Sequence, residues 1–174
     1  MALPAGTITL LFSDIEGSTV LLERLGSRYD EILEQHRRVI RTAIAEHGGR
    51  EVRTEGDAFF VAFARASDAV RAAVAAQRGL AQSLWPPGFA VRVRMGMHTG
   101  EPRVAQGDYV GIDVHYAARI CSAAHGGQVV VSDATERVLA GQPVAGVELR
   151  DLGEHRLKDL VRPLRLYQVM AWAC

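Results

Sequence analysis

The chain has little cysteine, no surplus of charge of either sign and no long apolar run. Its two cysteines, Cys121 and Cys174, lie far apart and lack the spacing of a metal site or a disulfide framework. That usage points to a reducing, cytoplasmic setting. Lys and Arg number 20, Asp and Glu also 20, so the formal net charge is zero. A general polyanion binder would carry a basic surplus, so nucleic acid is not an expected partner. No window is long and apolar enough to span a membrane, and Met1 to Gly6 lacks a signal-peptide pattern, so no membrane insertion is expected. Internal repeats, low-complexity tracts and linkers are missing too.

What is present is 174 residues of 48% hydrophobic content, enough to expect one domain over residues 1–174 with a sizeable core. Regulatory domains outside this chain are compatible with that reading. The organising stretch is Leu10-Leu11-Phe12-Ser13-Asp14-Ile15-Glu16-Gly17-Ser18-Thr19. An apolar run ends in a carboxylate, and a Gly-Ser-Thr turn then opens an amphipathic segment. Asp14 therefore stands at the tip of a buried strand, with helix-start amides aimed at the same point. A plainer alternative is that Asp14 or Ser18 only caps the helix.

A second stretch, Glu51-Val52-Arg53-Thr54-Glu55-Gly56-Asp57-Ala58-Phe59-Phe60-Val61-Ala62-Phe63, reads as a β-hairpin turning at Glu55-Gly56. Beside the first strand, that hairpin brings Asp57 close to Asp14. Adjacent carboxylates repel each other unless a cation lies between them. Hard oxygen ligands beside phosphate-binding amides favour Mg²⁺ or Mn²⁺.

Thr7 to Ser13 is expected as the central strand. From Ser18 helical spacing follows in two pieces broken at Gly26, the second carrying Tyr29, Ile32, Leu33, His36, Val39, Ile40, Ala43 and Ile44. Ser67 is expected to cap an alanine-rich helix, Asp68 to Leu84. Phe89 to Gly100 reads as a long strand with Val91, Val93, Met95 and Met97 on one face and Arg92, Arg94 and His98 on the other. After a turn at Gly107, Ile112 to Ala123 is helical and Gln128 to Ser132 a strand, with Asp133 capping a short helix. Val147 to Leu152 and Leu164 to Met170 are the last strands. The order predicts an α+β fold: a ferredoxin-like βαββαβ core with appended strands and helices, an antiparallel sheet with helices on one face and the other face open.

A pair of metal ions on Asp14 and Asp57, ~4 Å apart, could lower the pKa of a hydroxyl and clamp a phosphate in line. Arg94, on the adjacent strand, is placed to neutralise another phosphate.

Phe12-Ser13-Asp14-Ile15-Glu16-Gly17-Ser18-Thr19, Thr54-Glu55-Gly56-Asp57-Ala58-Phe59-Phe60 and Arg94-Met95-Gly96-Met97-His98-Thr99-Gly100 resemble signature segments of class III nucleotidyl cyclase catalytic domains. The likeness is to bacterial, especially actinobacterial, adenylate cyclases. Asp108-Tyr109-Val110-Gly111, running to Ala118-Arg119, and Leu157-Lys158 resemble the remaining segments, in the family's order. The resemblance implies a lyase of cyclic AMP signalling, converting ATP to 3′,5′-cyclic AMP and pyrophosphate in a head-to-tail homodimer with sites at the interface. It implies two Mg²⁺ or Mn²⁺ ions per site on Asp14, Asp57 and the Ile15 carbonyl. Amides of Gly17, Ser18 and Thr19 and the Arg94 guanidinium would hold the terminal phosphates. The partner would supply Asp108 to read adenine, Arg119 to stabilise charge on the α-phosphate and Lys158 to contact the triphosphate.

Two positions depart from the pattern. Arg53 stands where a purine-reading lysine is usual, with a larger, fixed fork of donors. His115 stands where an asparagine usually orients the ribose. They motivate a second expectation, a catalytically weak domain that binds nucleotide and signals by dimerising. An RNA-binding module on a similar sheet would want exposed aromatics and a basic face, and this chain lacks the latter.

His98 is read either as a structural hydrogen-bonding residue or as a support of the site. His36, His47, His125 and His155 are expected on surfaces or helix ends. Glu16 is expected to face solvent or stabilise a helix start, and Glu55 to sit in the turn. Asp113 is expected to orient Arg119. Arg37, Arg38 and Arg41, like Arg162 and Arg165, read as solvated faces, and the segment from Cys121 to Gly127 as a dimerisation arm.

Overall fold

The computed structural model describes residues 2–171, so Cys174 lies outside the described residues. β1 (Ile8–Ile15) holds the fold together because it pairs on both edges. Its side chains alternate: Leu11 and Ile15 enter one core, and Ile8 and Leu10 enter another on the opposite face. α1 (Ser18–Leu25) follows. A single 3₁₀ turn at Gly26–Arg28 then leads into α2 (Tyr29–Glu46), matching the break expected at Gly26.

β2 (Arg50–Glu55) and β3 (Ala58–Phe63) make the expected hairpin, with Gly56 taking the positive φ of 59° that the turn needs. α3 (Ala66–Gln82) begins earlier than expected, after Arg65. Ser67 therefore sits inside the first turn, where its hydroxyl has no hydrogen-bond partner and its amide donates to Gln142 Oε1 at 3.4 Å. β4 (Val93–Gly100) is shorter than the run from Phe89 predicts, because β1 ends at Ile15 opposite Val93 and leaves the earlier residues no strand to pair with. β5 (Arg103–Ala105) and β6 (Asp108–Val110) form a separate two-stranded ribbon. α4 (Ile112–Ala123), β7 (Val129–Ser132), α5 (Asp133–Ala140), β8 (Val147–His155) and β9 (Leu164–Ala171) complete the chain. The cap of α5 is Ser132, whose Oγ accepts from Thr135 N; Asp133 is the first helical residue.

The main sheet has seven strands in the order β2-β3-β1-β4-β7-β9-β8, antiparallel except for the β4–β7 pair. β1, β2, β3 and β4 with α2 and α3 are the ferredoxin-like core. α2 and α3 cover one face through Ile32, Ile40, Val70 and Ala73, against Leu11, Phe59, Phe63, Met95 and Met97.

The opposite face, expected to be open, carries α4 across β1 and β4. Tyr109 and Ala117 pack on Ile8, Leu10 and Phe60, and Ile120 on Val130 and Leu166. Gly96 makes this possible, since a Cβ there would collide with the α4 backbone at Ile120 and Cys121.

Candidate active site

The β1–β4 register sets Asp14 directly opposite Arg94. The guanidinium grips the carboxylate with two bonds, Nε to Oδ1 and Nη2 to Oδ2, both 2.7 Å. Such parallel charge-assisted bonds are among the strongest a surface site offers. They push the Arg94 pKa above its ordinary value. Its Nη1 also donates to the Ser122 carbonyl of α4 at 3.3 Å.

The β1–β3 register pairs Ser13 with Phe59, which carries the hairpin turn up beside the end of β1. There Ile15 N donates to Asp57 Oδ2 at 2.7 Å. Asp57 is thus held one residue from Asp14. Neither carboxylate caps α1: the N-cap is Gly17 at φ 69°, and no side chain closes that end. Ser18 and Thr19 therefore begin the helix beside the two aspartates.

Side chains of α2 whose contacts sequence reasoning missed support this end. Tyr29, at the start of α2, bonds the Ser18 side chain; burial and the nearby Asp57 carboxylate raise its pKa. Arg37 donates to the Gly56 carbonyl at 2.6 Å. Arg41 grips Glu51 at 2.8 and 3.3 Å and lies over the Phe59 ring, so two of the three arginines expected on a solvated face instead brace the hairpin, while Arg38 is exposed. The signal was available: a helix that packs beside a hairpin places its flanking arginines against it. Glu16, expected to face solvent or stabilise a helix start, is exposed and accepts from Gly126 N, which ties the end of β1 to the turn before β7. Cys121 is buried in its own chain, and its thiol, pushed up to about 12 by burial, points at the Arg94 carbonyl at 3.6 Å.

A second group lies on the α4 side of the sheet. Arg53 forms an ion pair with Asp108 and lays its guanidinium over the Phe60 ring, 4.8 Å from the centroid. Phe60 stacks in turn on Phe12 at 4.3 Å.

In a third group, Arg119 Nη2 pairs with Asp159 Oδ2 at 2.7 Å, next to the exposed Lys158. The expected partner, Asp113, faces the other way: six residues along a helix of 3.6 per turn turns it to β4 instead. There it accepts from Glu101 N at 3.2 Å and bonds His98 at 2.9 Å. His115 is exposed on α4. Among the described residues no ion pair joins the Asp14–Asp57–Arg94 group to Arg53, Asp108, Arg119 or Lys158.

Among the described residues no three or more His, Cys, Asp or Glu side chains cluster as a metal cage. Two carboxylates at a rigid sheet edge nevertheless fit Mg²⁺ or Mn²⁺, which commonly take one or two protein carboxylates and complete their shell with water and substrate phosphates.

The remaining histidines divide. His47 caps α2, and His125 and His155 are exposed, as expected. His36 is not at a surface: it is fully buried in α2, edge-on to Phe59, with neither ring nitrogen bonded. Burial and the neighbouring Arg37 charge push its pKa down to about 4. Arg162 is exposed, and Arg165 pairs with Asp151.

The model of the adenylate and guanylate cyclase catalytic domain matches residues 2–171. An uncharacterised protein of Mycobacterium tuberculosis is 41% identical over 162 residues, covering 92% of this chain and 54% of that protein. The chain thus spans about half the length of its mycobacterial relative. An adenylate cyclase of Neurospora crassa is 30% identical over 222 residues, covering 95% of this chain and 10% of that enzyme. Among solved structures, an adenylate cyclase of Trypanosoma brucei in its monomeric state superimposes with a TM-score of 0.87 at 28% identity, over 94% of this chain and 89% of that one.

Proposed function

This chain belongs to the class III adenylate and guanylate cyclase catalytic domain family, and from that premise we propose that it is an adenylate cyclase acting as a homodimer in the cytoplasm. The reaction joins the ribose 3′-oxygen of ATP to the α-phosphorus, breaks the bond from that phosphorus to the β-phosphate bridge oxygen, and releases pyrophosphate and a proton. The observation that carries the reading is the meeting of Asp14, Asp57 and Arg94 at one end of the sheet.

Asp14, Asp57 and the Ile15 carbonyl would hold two divalent ions. When bound, these supply Lewis-acid stabilisation of the triphosphate and a lowered pKa for the attacking hydroxyl. Arg94 exchanges Asp14 for a phosphate oxygen, remaining on the same strand while its charge is taken up by the substrate. The amides of Gly17, Ser18 and Thr19 add donors to the terminal phosphates. From the partner, Asp108 accepts a hydrogen bond from the adenine exocyclic amine, with Arg53 donating to a ring nitrogen beside it. His115 orients the ribose, Arg119 stabilises charge growing on the α-phosphate and Lys158 contacts the triphosphate. Among the described residues no ion pair joins these groups to the aspartates within one chain, in keeping with a site shared between two copies.

Incubating the purified chain with ATP or GTP, each with Mg²⁺ or Mn²⁺, tests the proposal. Cyclic AMP from ATP, absent in Asp57→Ala, is the expected result. His115, in place of a neutral amide donor, favours a second reading, a nucleotide-binding dimerisation module. Bound ATP without cyclic product from either nucleotide would establish that one.

A further inference from the structure

One face of β4 is a track for α4. Arg94, Gly96, His98 and Gly100 alternate along it, and each meets the helix or is shaped by it. Arg94 touches the Ser122 carbonyl at 3.3 Å near the helix's far end. Gly96 admits the backbone at Cys121, and Gly100 leaves room for the Asp113 carboxylate, which a Cβ there would strike.

Between the two glycines stands His98, 6% exposed, with both ring nitrogens engaged. Its Nε2 lies 2.9 Å from Asp113 Oδ1 and its Nδ1 2.7 Å from Ser132 Oγ, while the ring sits edge-on to Tyr116 at 5.1 Å. A carboxylate only accepts, so Nε2 carries the proton and Nδ1 receives the Ser132 hydroxyl. Burial holds the imidazole below its ordinary pKa against the pull of Asp113, in keeping with a neutral ring in that tautomer. Ser132 Oγ also accepts from Thr135 N as the cap of α5. The Thr135 hydroxyl meets that of Thr99 at 2.9 Å, and Thr99 meets Thr9 at 2.9 Å. His98 therefore anchors the first turn of α4 to three strands and a second helix.

None of these bonds reaches the aspartates. Four residues of strand, ~13 Å, separate His98 from Arg94. What His98 does hold is the helix that presents His115 and Arg119.

Resting on the shared-site reading above, we propose that His98 is a positioning residue for α4, so that its loss is felt in the partner's active site and not in the site built around its own chain's aspartates. The side chain sits on the strand that supplies Arg94 to one site, yet it serves the other. Asp113 is its counterpart on the helix, and the pair fixes the rotation and height of α4 on the sheet. Misplacing a catalytic group by an ångström costs up to ~10²-fold in rate, so a comparable fall in kcat is expected for His98→Ala.

Pairs of differently tagged variants, co-expressed and isolated as heterodimers, test this by cyclic nucleotide formation. Asp57→Ala with Arg119→Ala is the control, since one of the two sites per heterodimer is then intact. Asp57→Ala with His98→Ala should recover activity to the same extent as that control. Arg119→Ala with His98→Ala should not recover, because each of the two sites then carries one lesion in its α4 half. Recovery in the last pair, or none in the second while the control recovers, would overturn the assignment of His98. A silent control with an active wild type would instead overturn the shared-site reading and the inference with it. Asp113→Asn, which keeps side-chain size, should complement in the same pattern, and it decides the matter if His98→Ala does not fold.

Discussion

The two groups of residues that the proposed site would draw on are built differently. The half around Asp14 and Asp57 is fixed by strand register: Asp14 faces Arg94 across a strand pair, and Asp57 is tied to the Ile15 amide. Its ion pair is partly buried, with 26% and 27% of the two side chains exposed, and α2 braces the hairpin behind it. The other half is exposed. Arg53 and Arg119 are held by Asp108 and Asp159, and the Asp159 side chain is 64% exposed. Exposed pairs of that kind are worth ~0–1 kcal/mol, so an incoming nucleotide can displace them cheaply. On the proposed reading, the first half would be preformed to hold cations, and the second would keep its cationic side chains on loosely bound local carboxylates until a partner's ligand arrives.

The comparison predicts unequal responses to mutation. The largest belongs to the preformed half: Asp57→Ala should lower kcat by ~10³-fold or more, measured as cyclic AMP formed at saturating metal. Next is the support beneath it. His36 is neutral in the fold down to about 4, whereas an unfolded histidine takes up a proton near 6.5. Stability is therefore complete above about pH 6.5 and falls as pH drops through that window, by up to ~3 kcal/mol. Denaturant titrations of His36→Leu between pH 7 and 4 should give a flatter pH dependence. At pH 7 the variant should be as stable as the wild type or more so, because it removes two unbonded buried nitrogens.

Smaller effects belong to the exposed half. Arg53→Lys keeps the charge but loses the fork over Phe60, and a change of ~10-fold or less in kcat/KM for ATP is expected. Asp159→Asn, which frees Arg119 from its resting partner, should alter kcat/KM by only ~2- to 5-fold. A loss as large as that of Asp57→Ala at either position would break the distinction between the halves.

Sequence patterns reveal the two halves to different depths. Asp14 and Asp57 were legible because a strand ending in a carboxylate and a tight hairpin are local patterns, and adjacency of their strands brings the two together. The α4 helix was legible in its bounds, but not its place on the second face, which depends on Gly96 meeting a backbone more than twenty residues later. The Arg119–Asp159 pair joins residues 40 apart through a loop and has no local signature. His36 shows the opposite failure. It lies on the same stripe as Tyr29, Ile32 and Ile40, so its burial could be read from spacing, and only its polarity argued for the surface. The arginines of α2 were misread for a related reason, since a charged flank looks solvated until a neighbouring hairpin is placed beside it.

The central claim is that one site needs both halves from two copies. Its most direct measurement is the activity of the Asp57→Ala and Arg119→Ala variants, each inactive alone and then co-expressed. Random pairing leaves about a quarter of all sites intact, so recovery to about a quarter of wild-type cyclic AMP formation is the predicted result. Two folded, dimeric variants that remain inactive together, beside an active wild type, would contradict the account.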